Sequence, residues 1–146
     1  MKIYRLSRFF HLKKIKVLPK LITKINKIIN NSYIPYSAEI GKGSKFGYGG
    51  IGVVLHNNCV IGKNCTIGQN CTIGGRTGHG GPPLIGDNVY IGPGARLLGS
   101  FKIGNNVVIG ANAVVLNDIP DNCVVAGVPA KIINNKVDKF KEENII

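Results

Sequence analysis

Acidic residues are scarce in this chain of 146 residues, which has 7 Asp and Glu against 19 Lys and Arg and a formal net charge of +12. No acid precedes Glu39, although nine basic residues do. A segment of one charge sign favours an anionic partner, such as a membrane surface. Nucleic acid would also suit the charge, but no nucleic-acid-binding motif accompanies it, so we expect no nucleic-acid partner.

Long apolar runs and closely spaced metal ligands are missing as well. The chain has no apolar stretch long enough to span a bilayer and no signal-peptide pattern at its start. These absences predict a cytoplasmic protein with reduced thiols. No Cys-x-x-Cys pair occurs, so we expect no metal. Cys59, Cys65 and Cys71, spaced by six, are instead expected to be small interior residues.

Aliphatic residues, by contrast, recur every six positions in one phase. A helix would space them by three and four and a lone strand by two, so a period of six fits neither. It is the signature of a parallel β-helix, in which each hexapeptide forms a short strand and a turn and its aliphatic side chain points inward. The in-phase residues are Leu55, Ile61, Ile67, Ile73, Ile85, Ile91, Leu97, Ile103, Ile109 and Val115.

The repeat is broken in two places. Between Phe46 and Leu55 the phase slips by three, within a stretch that contains Tyr-Gly-Gly-Ile-Gly at 48–52. Residues 74–83 contain five glycines and a Pro pair, which rules out an ordinary strand and predicts a projecting loop that can move. Breaks in a regular scaffold are reasonable places for a functional site.

The repeat also divides the chain into three parts. We expect a basic amphipathic N-terminal segment at 1–33, a β-helix domain at 34–133 and a short solvated tail at 134–146. Apolar residues at 18–29 have helical spacing, with lysines off the stripe. Two interpretations stay open. Residues 1–31 contact anionic membrane, at its inner face, or their stripe packs on the coil or on a neighbouring subunit.

Several runs resemble hexapeptide acyltransferases, above all serine O-acetyltransferases and related enzymes that acetylate sugars. They include Ile61-Gly-Lys-Asn-Cys-Thr, Ile91-Gly-Pro-Gly-Ala-Arg and the closing Ala126-Gly-Val-Pro-Ala-Lys. The resemblance covers roughly residues 34–133. It implies an all-β, left-handed parallel β-helix, a homotrimer with sites between subunits, and transfer of an acetyl group from acetyl-CoA to a hydroxyl.

The acceptor is less well defined by this resemblance. We expect a sugar hydroxyl of surface polysaccharide biosynthesis, because the chain does not show the large N-terminal helical domain of serine acetyltransferases. Serine O-acetyltransferase of cysteine biosynthesis is the first alternative, and a non-catalytic membrane-docked scaffold is the second. A γ-type carbonic anhydrase on the same coil would need three metal-binding histidines, and only two of the three histidines lie on the coil.

Acetyl transfer to a hydroxyl needs a general base, and histidine suits that role because its pKa is near neutral. His56 follows the inward Leu55 directly, so we expect it to point outward from a rigid coil and to act as the base. His79 lies in the Gly-rich loop, within a Thr-Gly-His run that resembles the base-bearing segment of galactoside-type acetyltransferases. It is the alternative base or an acceptor-binding residue. His11 is expected at the surface, outside the site.

The serine acetyltransferase pattern is incomplete in this chain. That family has its catalytic His in an Asp-His-Gly-Thr-Gly segment, whereas residues 47–52 contain none. Its partner Asp aligns with Tyr33, and the Arg of its Arg-His pair aligns with Gly78. The resemblance implies acetyl-CoA contact by Gly74, Gly75, Ala95, Ala111 and Lys131, and acceptor contact by Tyr48, Arg76 and His79.

Overall fold

A computed structural model describes residues 2–15, 17–135 and 137, and shows two helices followed by a coil of short strands. Helix α1 spans Lys2–Leu12 and helix α2 spans Val17–Asn30. Most of the expected tail, 134–146, lies outside the described residues. The strands are β1 (Glu39–Ile40), β2 (Lys45–Phe46), β3 (Val54–Leu55), β4 (Val60–Ile61), β5 (Thr66–Ile67), β6 (Thr72–Gly74), β7 (Leu84–Ile85), β8 (Tyr90–Ile91), β9 (Arg96–Leu98), β10 (Lys102–Ile103), β11 (Val108–Ile109), β12 (Val114–Val115), β13 (Val124–Ala126) and β14 (Lys131–Asn134).

Consecutive strands fall on successive faces of the coil and build three sheets. The first sheet has the order β1-β4-β7-β10, the second β2-β5-β8-β11-β13-β14 and the third β3-β6-β9-β12. All pairs within the coil are parallel, and β14 closes its C-terminal end by pairing antiparallel with β13. The predicted all-β, left-handed parallel β-helix is therefore confirmed.

The core is the column of in-phase aliphatic side chains. All ten are at most 4% exposed, and each buried aliphatic contributes on the order of 1.5–3 kcal/mol. Cys59, Cys65 and Cys71 fill the space between them as fully buried free thiols, which confirms their predicted interior position. Burial raises the pKa of all three thiols, that of Cys59 to about 12. Within the described residues no group of three or more His, Cys, Asp or Glu is placed to hold a metal.

The glycine that follows most inward aliphatics is required by the spacing of the turns. A Cβ on Gly62 would lie 2.4 Å from the carbonyl oxygen of Gly86, and a Cβ on Gly86 would lie 2.7 Å from that of Gly104. Both distances are far below a normal contact, and the atoms concerned belong to backbone that cannot give way easily. The Gly of the hexapeptide is thus explained by the close approach of successive circuits of the coil, which we call rungs.

Asparagines stack along the corner between the first and second sheets. Asn88, Asn106 and Asn122 all adopt left-handed φ, between 53° and 61°, which asparagine tolerates better than most residues. The side-chain amide of Asn88 donates to Asn106 at 3.1 Å, and that of Asn106 donates to Asn122 at 2.9 Å. This ladder fixes the rungs in register on the side of the coil opposite the third sheet.

Both predicted breaks change the length of one turn of the coil. A regular turn pairs Tyr90 with Val108, 18 positions on. Lys45 pairs with Thr66, three positions more than a regular turn, because the slip adds a tight turn at Gly47–Gly50, in which Tyr48 and Gly49 have left-handed φ. Thr66 pairs with Tyr90, six positions more, because the Gly-rich loop projects from that turn. The predicted slip and loop are therefore confirmed.

Helix α1 rests on the first turn of the coil. The Tyr4 hydroxyl donates to the carbonyl of Ala38 at 2.6 Å. The Arg8 guanidinium donates to the carbonyl of Ser37 at 2.8 Å and forms a salt bridge with Glu39 at 3.2 Å. Hydrogen bonds from α1 therefore attach the N-terminal segment to the coil.

Helix α2 packs on α1 through small and polar residues. The Ser7 hydroxyl donates to the carbonyl of Pro19 at 2.9 Å and lies 3.4 Å from the Thr23 hydroxyl. The helix predicted at 18–29 is confirmed, but the hypothesis that its apolar stripe packs on the coil is wrong, because most of the stripe is exposed. No helix in the described part of the chain is long and apolar enough to cross a membrane. The exposed stripe residues are Leu21, Ile25, Ile28 and Ile29, and Val17 just before the stripe is exposed as well.

Candidate active site

The two candidate bases come from the same corner of the coil, where the third sheet gives way to the first. His56 follows β3, and its N–H donates to the carbonyl of Ile73 in the next rung at 2.9 Å. Gly74 ends β6 and pairs with Leu98 at the end of β9. Rungs stack about 4.8 Å apart. The loop 75–83, which carries His79, leaves this corner directly after Gly74. We call it the histidine corner.

The Gly-rich loop is hydrogen-bonded to the coil. The N–H of Ser100 donates to the carbonyl of His79 at 2.9 Å, and that of Gly99 donates to Gly74 at 3.0 Å. Within the loop, the N–H of His79 donates to the carbonyl of Arg76 at 2.8 Å. The sequence predicts a loop that can move, and in the structure these bonds hold its central turn against the coil. His79 and Arg76 start from fixed backbone positions beside the β9 rung.

The imidazole of His56 is exposed, as expected, but its ring is set as a hydrogen-bond donor. The main-chain N–H of Asn58 donates to Nδ1 of His56 at 3.1 Å. This bond needs the lone pair of Nδ1, so the proton of the neutral ring lies on Nε2. A general base needs the opposite tautomer, with a free lone pair facing the substrate. In this orientation the Nε2–H of His56 is available to donate a hydrogen bond to an oxygen of a substrate.

The turn after β3 is fixed by residues from the start of the coil. The Tyr33 hydroxyl donates to Oδ1 of Asn57 at 3.0 Å, and the Ser37 hydroxyl donates to the carbonyl of Asn57 at 2.8 Å. No carboxylate contacts His56 among the residues the structure describes. Tyr33, which aligns with the partner Asp of serine acetyltransferases, therefore positions the turn and leaves the ring itself uncontacted.

The histidine of the loop has fewer constraints on its side chain. His79 is exposed. Its imidazole makes no hydrogen bond or ion pair within the described part of the chain. Both ring nitrogens of His79 are thus available to a substrate, and its fixed backbone places them at the histidine corner.

Packing does not account for the glycine at the base of the loop. A Cβ placed on Gly74 would meet nothing within 4 Å, whereas a Cβ on Gly75 would lie 2.7 Å from the carbonyl oxygen of Gly80. Gly75 is therefore needed to close the loop on itself. Gly74 leaves an open surface beside His56, as a ligand running along the backbone would require.

Three other predicted site residues lie at the corner between the second and third sheets. Tyr48, 79% exposed and with a left-handed φ of 47°, lies in the tight turn at Gly47–Gly50, between β2 and β3. Ala111 is exposed in the turn between β11 and β12, and Lys131 is exposed in β14, opposite Ala126. This corner, which we call the alanine corner, is separated from the histidine corner by the width of the third sheet. Within one chain the two groups are not brought together.

Ala95 needs a correction. It is fully buried, with an exposure of 0%, and is one of the small interior residues that lie two positions before an inward aliphatic. The expectation that it borders acetyl-CoA is therefore wrong for this chain, because an interior residue has no surface to offer. Its contribution is to let the turn pass close to the core.

The sequence pattern predicts no role for Arg96. Its position directly before the inward Leu97 is the signal that it faces outward on the third sheet. The guanidinium donates to the carbonyls of Asn70 and, at 3.0 Å, of Gly94. Arg96 thereby ties two rungs together at the alanine corner. It is the only charged residue among the outward positions of the third sheet, Val54, Thr72, Arg96 and Val114.

Comparison with known proteins agrees with this architecture. The bacterial transferase hexapeptide family (six repeats) matches residues 82–117, and the hexapeptide repeat of succinyl-transferase matches residues 60–81. The chain is therefore similar to hexapeptide-repeat transferases, and to serine acetyltransferases among them. The serine acetyltransferase of Staphylococcus xylosus is 42% identical over 123 residues, which are 83% of this chain and 56% of that protein. That of Synechococcus elongatus is 34% identical over 132 residues, 89% of this chain and 54% of that protein.

A solved structure gives the same picture. A serine acetyltransferase in complex with CoA superposes with a TM-score of 0.80 and 33% identity, over 90% of this chain and 54% of that one. The chain thus spans about half the length of these relatives. These relatives are named as serine acetyltransferases, so they do not support the predicted preference for a sugar acceptor.

Proposed function

We propose that this chain is an acetyltransferase that moves an acetyl group from acetyl-CoA to the hydroxyl of L-serine. The observation that carries the proposal is the histidine corner, where two histidines flank a glycine that no packing contact requires. The similarity to serine acetyltransferases over most of this chain supports both the donor and the acceptor.

The two histidines take different roles in this proposal. His79, whose ring nitrogens are free, accepts the proton of the acceptor hydroxyl as its oxygen bonds to the thioester carbon. His56, with its proton on Nε2, donates a hydrogen bond to an oxygen of the acceptor or of the thioester carbonyl. The C–S bond of the thioester then breaks, and the proton held by His79 passes to the sulfur, so that CoA leaves as the thiol. The backbone of Gly74 and Gly75 provides the close approach that the acetyl end of the donor needs.

We further propose a homotrimer in which each site lies between two subunits. Ala111 and Lys131, which the resemblance assigns to the coenzyme, lie at the alanine corner, across the third sheet from His56 and His79. We infer that the two groups act on the same molecule of coenzyme when they come from different chains. A neighbour that turns its alanine corner toward the histidine corner completes the site. Lys131 then meets the coenzyme phosphates as a point charge.

The direct test measures release of the CoA thiol from acetyl-CoA with a panel of acceptors. We expect turnover with L-serine, weaker turnover with L-homoserine, and none above hydrolysis with sugars or nucleotide sugars. Turnover with a sugar alone would move the acceptor assignment to the sugar. Binding of acetyl-CoA without turnover on any acceptor would support a non-catalytic scaffold instead. Light scattering should give the mass of three chains, and a monomer would contradict the shared site.

A further inference from the structure

Helices α1 and α2 form a hairpin whose inner side is polar and whose outer side is apolar. Its inner face, where α2 meets α1, is built from Ser7, Pro19, Thr23 and Asn26, all buried. Its outer face, which we define as Val17, Leu21, Ile25, Ile28 and Ile29, carries the aliphatic residues, with Ile28 83% and Val17 77% exposed. A helix that packed only within this chain would place these residues inward. The outer face is therefore a contact surface that this chain does not itself cover.

The charge around this face has one sign. Lys20, Lys24 and Lys27 follow one another at helical spacing along its flank, and all three are exposed. Lys13 and Lys14 extend the basic surface beyond the end of α1. The only salt bridge within the described residues, Arg8 with Glu39, faces the coil. The five lysines thus make no ion pair in the described part of the chain and attract anions from outside it.

The charge also argues against a twofold contact between the outer faces of two copies of this chain. Two outer faces that met around a twofold axis would bring the same row of lysines together. Like charges across such a contact oppose association. A partner with negative charge at its surface and an apolar layer just beneath it would attract the lysines and bury the aliphatic side chains.

We propose that the outer face of α2 docks on the surface of an anionic lipid bilayer. The aliphatic side chains enter the boundary between headgroups and acyl chains, and the flanking lysines lie among the headgroups. Each lysine near such a surface strengthens binding severalfold, so Lys20, Lys24 and Lys27 together account for about a hundredfold. The docking is peripheral, and it leaves both corners of the coil free. This inference does not depend on the proposed acetyl transfer.

Co-sedimentation of the full chain with vesicles tests the proposal. We expect binding to vesicles that contain phosphatidylglycerol, little binding to phosphatidylcholine alone, and weaker binding as salt is raised. Lys20→Gln/Lys24→Gln/Lys27→Gln should weaken binding about a hundredfold. Ile25→Ser/Ile28→Ser should weaken it at least about tenfold with the charge unchanged. The matched control is Lys42→Gln/Lys45→Gln/Lys63→Gln, which removes the same charge from exposed positions of the coil.

The outcomes separate the possible occupants. Equal losses in the helix and coil lysine variants would show non-specific charge attraction and overturn the proposal. Failure of the native chain to bind the anionic vesicles would overturn it as well. A change of mass in solution caused by Ile25→Ser/Ile28→Ser, without any effect on vesicles, would assign the face to another copy. All the substituted side chains are exposed, so the melting temperature should stay the same and serves as the check on folding.

Discussion

The carbonyl oxygen of His79 accepts a hydrogen bond from the N–H of Ser100 at 2.9 Å, which fastens the Gly-rich loop to the coil. His79 is therefore pre-positioned by backbone, as His56 is by the β3 rung. A catalytic group whose backbone is held by hydrogen bonds keeps its orientation toward the substrate. What distinguishes the two histidines is then the hydrogen bonding of their rings rather than the rigidity of their backbone.

Removal of the base tests this distinction first. His79→Ala should lower turnover about 10²–10⁴-fold, because no other free ring nitrogen replaces it at the histidine corner. Acetyl-CoA should still bind, as measured by calorimetry. His11→Ala, which changes an exposed histidine outside the site, is the matched control and should keep full turnover. A His79→Ala enzyme that retains turnover would refute the assignment of the base.

The donor role of His56 predicts a different pattern. His56→Ala should lower turnover about 10–100-fold, because one neutral hydrogen bond to the reacting oxygens is lost. His56→Gln, whose side-chain amide also donates, should recover most of that loss. A base would not be rescued in this way, because an amide does not accept the proton. If both substitutions abolish turnover, His56 is the base and the bond from Asn58 must break when the substrates bind.

Much of the fold could be predicted because the period of six indicates both which residues point inward and where the coil is interrupted. Every residue at the phase of Leu55 must point inward, and every break in the phase must leave the coil. The direction of the α2 stripe could not be predicted, because a helical spacing is the same whether the stripe faces a neighbour or the solvent. That choice is made by the contacts of Ser7 with Pro19 and Thr23.

The chemistry of the site was less predictable than its place. The position of His56 after Leu55 fixed its outward direction, and the loop placed His79 nearby. The tautomer of His56 depends on one main-chain N–H two residues later, which no pattern of side chains encodes. The open space at Gly74 also has no sequence signal, because Gly62, the glycine at the same position of another repeat, is required by packing.

Alkaline pH should destabilise the fold through Cys59. Burial raises the pKa of this thiol to about 12, from an ordinary value of 9.0. Between these values the unfolded chain loses the proton while the folded chain keeps it, so stability is full below pH 9 and falls as the pH rises toward 12. From pH 9 to 10 the native protein should lose about 1 kcal/mol more than Cys59→Ala. Urea unfolding at fixed protein concentration measures the difference, and equal slopes would contradict it.

The two kinds of glycine give the last prediction. Gly86→Ala should destabilise the fold by about 1–3 kcal/mol, because its Cβ would lie 2.7 Å from the carbonyl oxygen of Gly104. Gly74→Ala, with nothing within 4 Å of the added carbon, should leave the melting temperature nearly unchanged. It should nevertheless lower kcat/KM for acetyl-CoA at least about tenfold, because the methyl group occupies the surface that the donor approaches. Full activity of Gly74→Ala would mean that acetyl-CoA does not pass this backbone, and the donor path would have to be sought at the alanine corner alone.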